Sequence, residues 1–351
     1  MRVSREFVSL ASPTSARAGH GSYPCQGVYY TSDGTRPKTA LIATHYDIDF
    51  SEHYLADFMA ARGYGFLGWN TRFRGNGAYF ILEPALVDIG AGVRWLREEA
   101  GIDNVVLLGN SGGASLMSAH QALGDAPGDL FISLCAHPGR PEVHTAWIDP
   151  SVTDETDLLS ADPALDMFNP DNGPPYSAEF IERYRAAQVA RNERITRWAK
   201  EEIARLEAAG SYDRTFNIYR VWADLRFLDL AIDPSERTVG CYFGDPKRAN
   251  YGPWGIGAVS TCRSWLSMWS LQESRCRGGP NLAKVQCPSL VIQSTADQGC
   301  YPSDAQLIFD SLGSQDKQLE MVTGDHYLLT PESARDDTAD LIADWLRGHL
   351  S

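Results

Sequence analysis

The residues best able to do chemistry are Gly109-Asn110-Ser111-Gly112-Gly113, which fit G-x-S-x-G. In that spacing a serine sits on a sharp strand-to-helix turn with its hydroxyl lifted clear of the sheet. The glycines two before and two after it pass too close to neighbouring backbone to carry side chains. Gly112 leaves its N–H uncovered at a helix start, where it can donate to an oxygen that gains negative charge. Such a turn serves nucleophilic attack on a carbonyl. A serine hydroxyl is a weak nucleophile until a base takes its proton, and the base needs an acid to orient it. Asp297, in Ser294-Thr295-Ala296-Asp297, and His326, in Thr323-Gly324-Asp325-His326, supply both types. Asp325 is a rival acid, but adjacent loop residues seldom aim one carboxylate at the next ring. The phosphate-cradling patterns GxGxxG and GxxxxGK[ST], the other use of glycines between strand and helix, are absent from this turn.

Strands and helices must deliver these groups. Residues 105–108 (VVLL) are a short apolar run suited to a strand buried on both faces, and 114–123 has helical composition up to Gly124. Runs at 39–44, 64–70, 129–136 and 288–295 predict further buried strands, 318–322 a strand of period two, and 1–12 with 26–31 an opening hairpin or edge pair. Helices are predicted over 51–62, 84–100, 302–312 and 331–346. Alternation of this kind builds an α/β fold with a mostly parallel, doubly wound sheet. Ser111, Asp297 and His326 then fall just past strand ends, at the carboxyl edge where open α/β sheets place ligands. His45 and His137 also fall at strand ends and are candidate substrate contacts. With no H-x-H, H-E-x-x-H or carboxylate cluster, neither a metal site nor a cofactor is expected.

The alternation stops over 140–285. A polar, proline-punctuated stretch runs to Pro175, and a long helix is predicted over 177–209. Ile195, Trp198, Ala199, Ile203 and Leu206 form its apolar stripe. Arg191, Glu193, Arg194, Arg197, Glu201 and Glu202 are mixed in sign and read as a solvated face. Six of the nine tryptophans fall in this insertion, so it has the means to build a core of its own. Trp254, Trp265, Met268 and Trp269 cluster beside the return to the sheet, and an aromatic surface there would select a bulky, largely apolar substrate.

A chain of 351 residues accommodates one large α/β domain with such an insertion. The net charge of -14 argues against nucleic acid or an anionic membrane as partner and leaves small-molecule substrates and self-association open. Seven cysteines, odd in number, scattered and without C-x-x-C, suggest neither a disulfide framework nor a zinc site, which fits a reducing cytoplasm. No apolar signal region opens the sequence, and no stretch approaches the ~18 apolar residues of a membrane span.

Through GNSGG after VVLL, the STAD turn and GDH after the last strand, the sequence resembles the α/β-hydrolase family over roughly 25–139 and 286–350. The resemblance implies Ser111 as nucleophile, His326 as general base and Asp297 as orienting acid. Residues 72–77 resemble the arginine-glycine loop after strand four. The insertion, after strand six, sits where members carry a cap, dividing the chain into a core of 1–139 and 286–351 and a helical cap of 140–285. One departure is His45-Tyr46, where many members have His-Gly. The family role makes the Tyr46 backbone N–H the partner of Gly112 in the oxyanion hole, with its phenol as the alternative. The expectation is a cofactor-free serine hydrolase acting on a carboxylic ester of a bulky, largely apolar small molecule. Amides and lactones use the same atoms, and the same triad serves a carbon-carbon bond (diketone) hydrolase or an acyltransferase. A non-catalytic small-molecule binding protein on this fold is the alternative of another class. Haloalkane dehalogenase and epoxide hydrolase chemistry would need Asp at position 111.

Overall fold

The apolar run ahead of Ser111 is a strand with neighbours on both sides, and the rest of the sheet is assembled around it. The computed structural model describes residues 2–11, 24–34 and 36–350, so the two ends of the 1–12 alternation lie outside the described residues. In chain order come β1 (Val3–Leu10), β2 (Cys25–Ser32), β3 (Thr39–Ala43), α1 (Ala56–Ala61), β4 (Gly65–Asn70), α2 (Leu82–Glu98), β5 (Asn104–Asn110), α3 (Gly113–Leu123) and β6 (Leu130–Leu134). The insertion contributes α4 (Arg140–Trp147), α5 (Ala178–Ala208), β7 (Thr215–Asn217), α6 (Pro246–Asn250), β8 (Val259–Thr261) and α7 (Cys262–Ser264). The chain closes with α8 (Gly278–Leu282), β9 (Ser289–Ser294), α9 (Pro302–Ser311), β10 (Lys317–Val322) and α10 (Ala334–His349).

Among the described residues the main sheet has eight strands in the order β1-β2-β4-β3-β5-β6-β9-β10. β1 pairs with β2 and β2 with β4 antiparallel, and every pairing from β4 to β10 is parallel. The opening hairpin and the mostly parallel sheet are thus as the sequence patterning indicated. β3, β5, β6 and β9 read as continuous apolar runs because both their faces are covered. On one face Leu41, Val106, Leu108, Ile132 and Ile292 pack with Met59 of α1 and Ile342, Trp345 and Leu346 of α10. On the other, Trp69 of β4 donates its indole N–H to the Asp88 carbonyl of α2 at 2.9 Å.

The described residues form two compact units, one from 1–76, 82–139 and 278–351, the other from 77–81 and 140–277. The sheet unit resumes at Gly278, ahead of 286, because α8 packs against α3 and α9. Within the insertion α5 starts where Ser177 accepts the Phe180 N–H at 3.1 Å, an N-cap that fixes the helix entrance. The buried face of α5 is more polar than its apolar stripe suggested. Arg191, expected on a solvated face, is fully buried. Its guanidinium meets Glu155 at 2.6 Å and donates to the carbonyls of Asp149 and Tyr219, so its burial leaves few donors unmet. Glu202 is buried too, held by Arg205 and Arg214. β7 and β8 pair antiparallel from Thr215 opposite Thr261 to Asn217 opposite Val259, a ribbon of three-residue strands too short for its alternation to register in sequence.

Candidate active site

β5 ends at Asn110, and the next residue, Ser111, has φ of 54°, a left-handed conformation that is strained for a residue with a side chain. The surrounding chain holds it there. The Ser111 N–H donates to the Leu134 carbonyl at 3.1 Å, while the Ser111 carbonyl accepts from Ala114 and from His137, each at 3.2 Å. A Cβ on Gly109 would lie 2.5 Å from Ala114 Cα, and one on Gly113 would collide with the Thr44 carbonyl. Glycine is needed at both because backbone passes where a side chain would be.

The continuation of the β9–β10 ladder sets the other two groups side by side. Beyond the strand ends Thr295 donates to Val322 and Ala296 to Gly324, at 2.9 and 2.8 Å. This delivers Asp297 and His326 as neighbours, with 2.7 Å between His326 Nδ1 and Asp297 Oδ2. Asp297 is 1% exposed, and its Oδ1 accepts the N–H groups of Gly299 at 2.8 Å and Cys300 at 2.9 Å. A carboxylate so anchored can only accept, so the proton between the pair resides on Nδ1, and His326 Nε2 keeps a lone pair that can take a proton. Asp325 is occupied elsewhere, since its Oδ1 accepts from the N–H groups of Tyr327 and Leu329 and so closes its own loop.

At the start of α3 the side chains of the β3 loop crowd Gly112. A Cβ there would collide with the Tyr46 hydroxyl and come within 2.7 Å of His45 Nε2. His45 Nδ1 accepts two backbone N–H groups, from Asp47 at 3.1 Å and Ile48 at 3.0 Å, which places the ring proton on Nε2. Two side-chain donors therefore stand beside the Gly112 backbone, both buried. Next to them opens a cavity of about 340 Å³ whose wall includes Tyr46, Asp47, Asp49, Asn70 and Arg74.

Three solved structures resemble this chain along nearly its whole length. DcsB, in a complex with its substrate analogue, has a TM-score of 0.58 at 12% identity, covering 98% of this chain and 99% of that one. GrgF, an α/β hydrolase from Penicillium sp. sh18, has a TM-score of 0.56 at 11% identity, covering 98% and 97%. An esterase from Pyrococcus furiosus has a TM-score of 0.51 at 11% identity, covering 98% and 92%. The chain has the α/β-hydrolase fold. The sequence matches no protein-family model and no curated protein.

On this α/β-hydrolase sheet the strand order from β5 through β6 and β9 to β10 puts the ends carrying Ser111, Asp297 and His326 along one edge. His137, past β6, lies between them. Its N–H reaches Ser111, and its ring nitrogens are 3.5 and 3.6 Å from Cys300 Sγ. In the arginine-glycine loop Arg72 is committed to the buried Asp88 of α2 at 2.7 Å, and Arg74 to Asp49. The tryptophans correct an expectation. Trp265 and Trp269 are 0% and 2% exposed inside the insertion, where Trp265 donates to the Thr196 hydroxyl at 3.0 Å and both rings pack on His144. Rings so enclosed form no pocket wall, because the insertion's own core uses them. Trp254, by contrast, is 74% exposed.

Three residues at the site went unnoticed in the sequence. Asn110, the variable position before the serine, donates to the Leu134 carbonyl at 3.0 Å and meets His53 Nε2 at 3.2 Å, bracing the elbow from behind. Burial pushes His53 down to about 3, against the opposing effect of that hydrogen bond, so the ring is a neutral strut. Cys300, three residues after Asp297, carries its thiol into the same cluster. Position inside the G-x-S-x-G motif was a signal for Asn110. His53 had none, since its partner Asn110 lies 57 positions away, and nothing in the spacing of Cys300 from Asp297 showed that its thiol would meet Cys135 and His137.

Proposed function

We propose that this chain is a serine hydrolase that cleaves a carboxylic ester of a small molecule through an acyl-enzyme on Ser111. The observation that carries the reading is the His326–Asp297 pair, buried and 2.7 Å apart, which makes Nε2 the basic nitrogen on the sheet edge that also bears the strained Ser111. Ser111 Oγ attacks the carbonyl carbon as its proton passes to Nε2, and the developing oxyanion is met by the Gly112 N–H with Tyr46 beside it. The imidazolium, stabilised by Asp297, returns the proton to the leaving alcohol. Water then repeats the cycle on the acyl-enzyme. An amide or lactone would react through the same atoms.

With Trp265 and Trp269 enclosed, the motive for a bulky, wholly apolar substrate weakens. The cavity beside Tyr46 favours an ester with a hydrogen-bonding group at one end, within reach of Asp47, Asp49, Asn70 or Arg74. The test is covalent. A fluorophosphonate probe should label the protein once, on Ser111, and Ser111→Ala should abolish labelling and lower ester turnover by roughly 10⁴- to 10⁶-fold. Turnover surviving in a folded Ser111→Ala protein would refute the proposal. A panel of esters with neutral, charged and apolar ends then ranks the substrate classes.

A further inference from the structure

The loop after β9 carries a thiol that anchoring the acid does not require. The Cys300 N–H helps hold Asp297, but any residue's N–H would do that. Its side chain is nonetheless a buried sulfur, and Asp297, Cys300 and His326 each offer one ligand atom such that all three atoms lie within 4.8 Å of one another. The sulfur donates to the Cys135 carbonyl at 3.0 Å and has both ring nitrogens of His137 at 3.5 and 3.6 Å.

One thiol, one imidazole and one carboxylate are the donor types zinc takes, and a second imidazole stands near the sulfur. Zinc bonds of about 2.0 to 2.3 Å in a tetrahedron separate ligand atoms by roughly 3.3 to 3.8 Å. Closing the cluster on an ion would therefore draw its most widely spaced atoms in by about 1 Å and open the 2.7 Å His326–Asp297 contact by roughly 0.6 Å, both within reach of side-chain rotation. We infer that Asp297, Cys300 and a ring nitrogen of His326 form a binding site for a soft, thiophilic divalent cation, with zinc the best fit. His137 supplies the fourth ligand once its ring turns, or a water does.

The balance is simple. The ion enters as a dication, Cys300 loses its one proton to solvent and binds as thiolate, Asp297 is already an anion, and the histidine keeps one ring proton. If the metal takes Nδ1, that ring proton moves to Nε2 and the lone pair needed for the serine is gone. If it takes Nε2, it occupies that lone pair directly. On either nitrogen the base is silenced, so the bound cation acts as a reversible inhibitor. Inhibition rests on the serine-hydrolase reading, whereas binding does not.

Cobalt(II) serves as the probe because a thiolate ligand gives it a charge-transfer absorption in the near ultraviolet. Titration of the intact protein should produce that band with saturation at one equivalent, and zinc should bleach it. Cys300→Ser should remove the band and weaken binding by at least about 100-fold, and His326→Gln should keep the band while weakening binding by about 10- to 100-fold. Absence of the band in the parent protein, or its survival at full strength in Cys300→Ser, would overturn the site; the latter would move the metal to another of the seven cysteines. Should Cys300→Ser fail to fold, as judged by circular dichroism, His326→Gln decides alone: unchanged affinity sinks the assignment. If cobalt binds as described and zinc leaves ester turnover of the same sample unaffected, the serine-hydrolase reading falls while the metal site stands.

Discussion

Gly112 has no room for a side chain because the space beside it already holds the Tyr46 hydroxyl and His45 Nε2. In the proposed mechanism, charge developing on a carbonyl oxygen attacked by Ser111 would form near the Gly112 N–H, and the buried Tyr46 hydroxyl on the same glycine would be its second donor. Tyr46→Phe is expected to lower kcat by about 10²- to 10³-fold with little change in KM. Undiminished steady-state turnover would return the second donor to the Tyr46 backbone. For the acid, Asp297→Asn should reduce turnover by up to about 10⁴-fold through the wrong imidazole tautomer, and Asp325→Asn by less than about tenfold. The reason is geometric, since Asp325 closes its own loop on Tyr327 and Leu329. The opposite ranking in a side-by-side assay would reassign the role. Ser111 and Asp297 were legible because each follows closely on an apolar run suited to a buried strand, and His326 because it follows the period-two alternation of the half-exposed edge strand β10. His53 and Cys300 were not, since contacts such as His53 with Asn110, 57 positions apart, exist only once the strands have paired.

At the scale of elements, periodicity located α5 to within a residue at either end, but said less about what its faces meet. Helical spacing tells which residues share a face. It does not tell that Arg191 finds a carboxylate and two carbonyls inside, or that Trp198 lies at the rim of the stripe. Composition has the same limit at Trp265 and Trp269, where it signals a large buried area without saying whether a ligand or the insertion itself covers it. Their full burial makes the second account quantitative. Trp265→Ala and Trp269→Ala should each cost about 3 to 5 kcal/mol of stability in denaturant unfolding, while KM of the remaining folded enzyme stays near that of the parent. A variant of normal stability whose KM rises with the apolar size of the ester would place the ring in the substrate pocket after all.

Over the molecule as a whole, three buried histidines set how the fold answers to acid. Burial lowers His53 to about 3, lowers His120 against its hydrogen bond to the Ala126 carbonyl, and lowers His144 well below the ordinary range, with Arg140 and Arg191 adding to the effect. Each remains neutral in the folded chain at pH values where an unfolded imidazole, with an ordinary value near ~6.5, already binds a proton. The unfolded state therefore holds more protons in this window, and stability falls as pH drops below about 6.5, by up to about 1.4 kcal/mol per pH unit for each such histidine. For His53 the loss continues until the pH reaches its folded value of about 3. Charge repulsion cannot be the cause, because acidification first reduces the net charge of -14. Nor can the strongly held carboxylates. In Asp49 hydrogen bonds from Ser51, Arg74 and Asn70 outweigh the cost of burial and hold it at about 2, so its contribution is lost only below the unfolded carboxylate range near ~4. Unfolding free energies measured between pH 6.5 and 4.5 should thus show a slope that His53→Phe and His144→Phe each flatten by up to about one proton, and that His120→Phe flattens in the same direction, whatever their offset in stability. His144 lies in the insertion and the other two in the sheet unit, so hydrogen exchange in His144→Phe should lose its acid sensitivity in peptides from 140–277 and keep it elsewhere. An unaltered slope in all three variants would mean that other groups govern the acid limb.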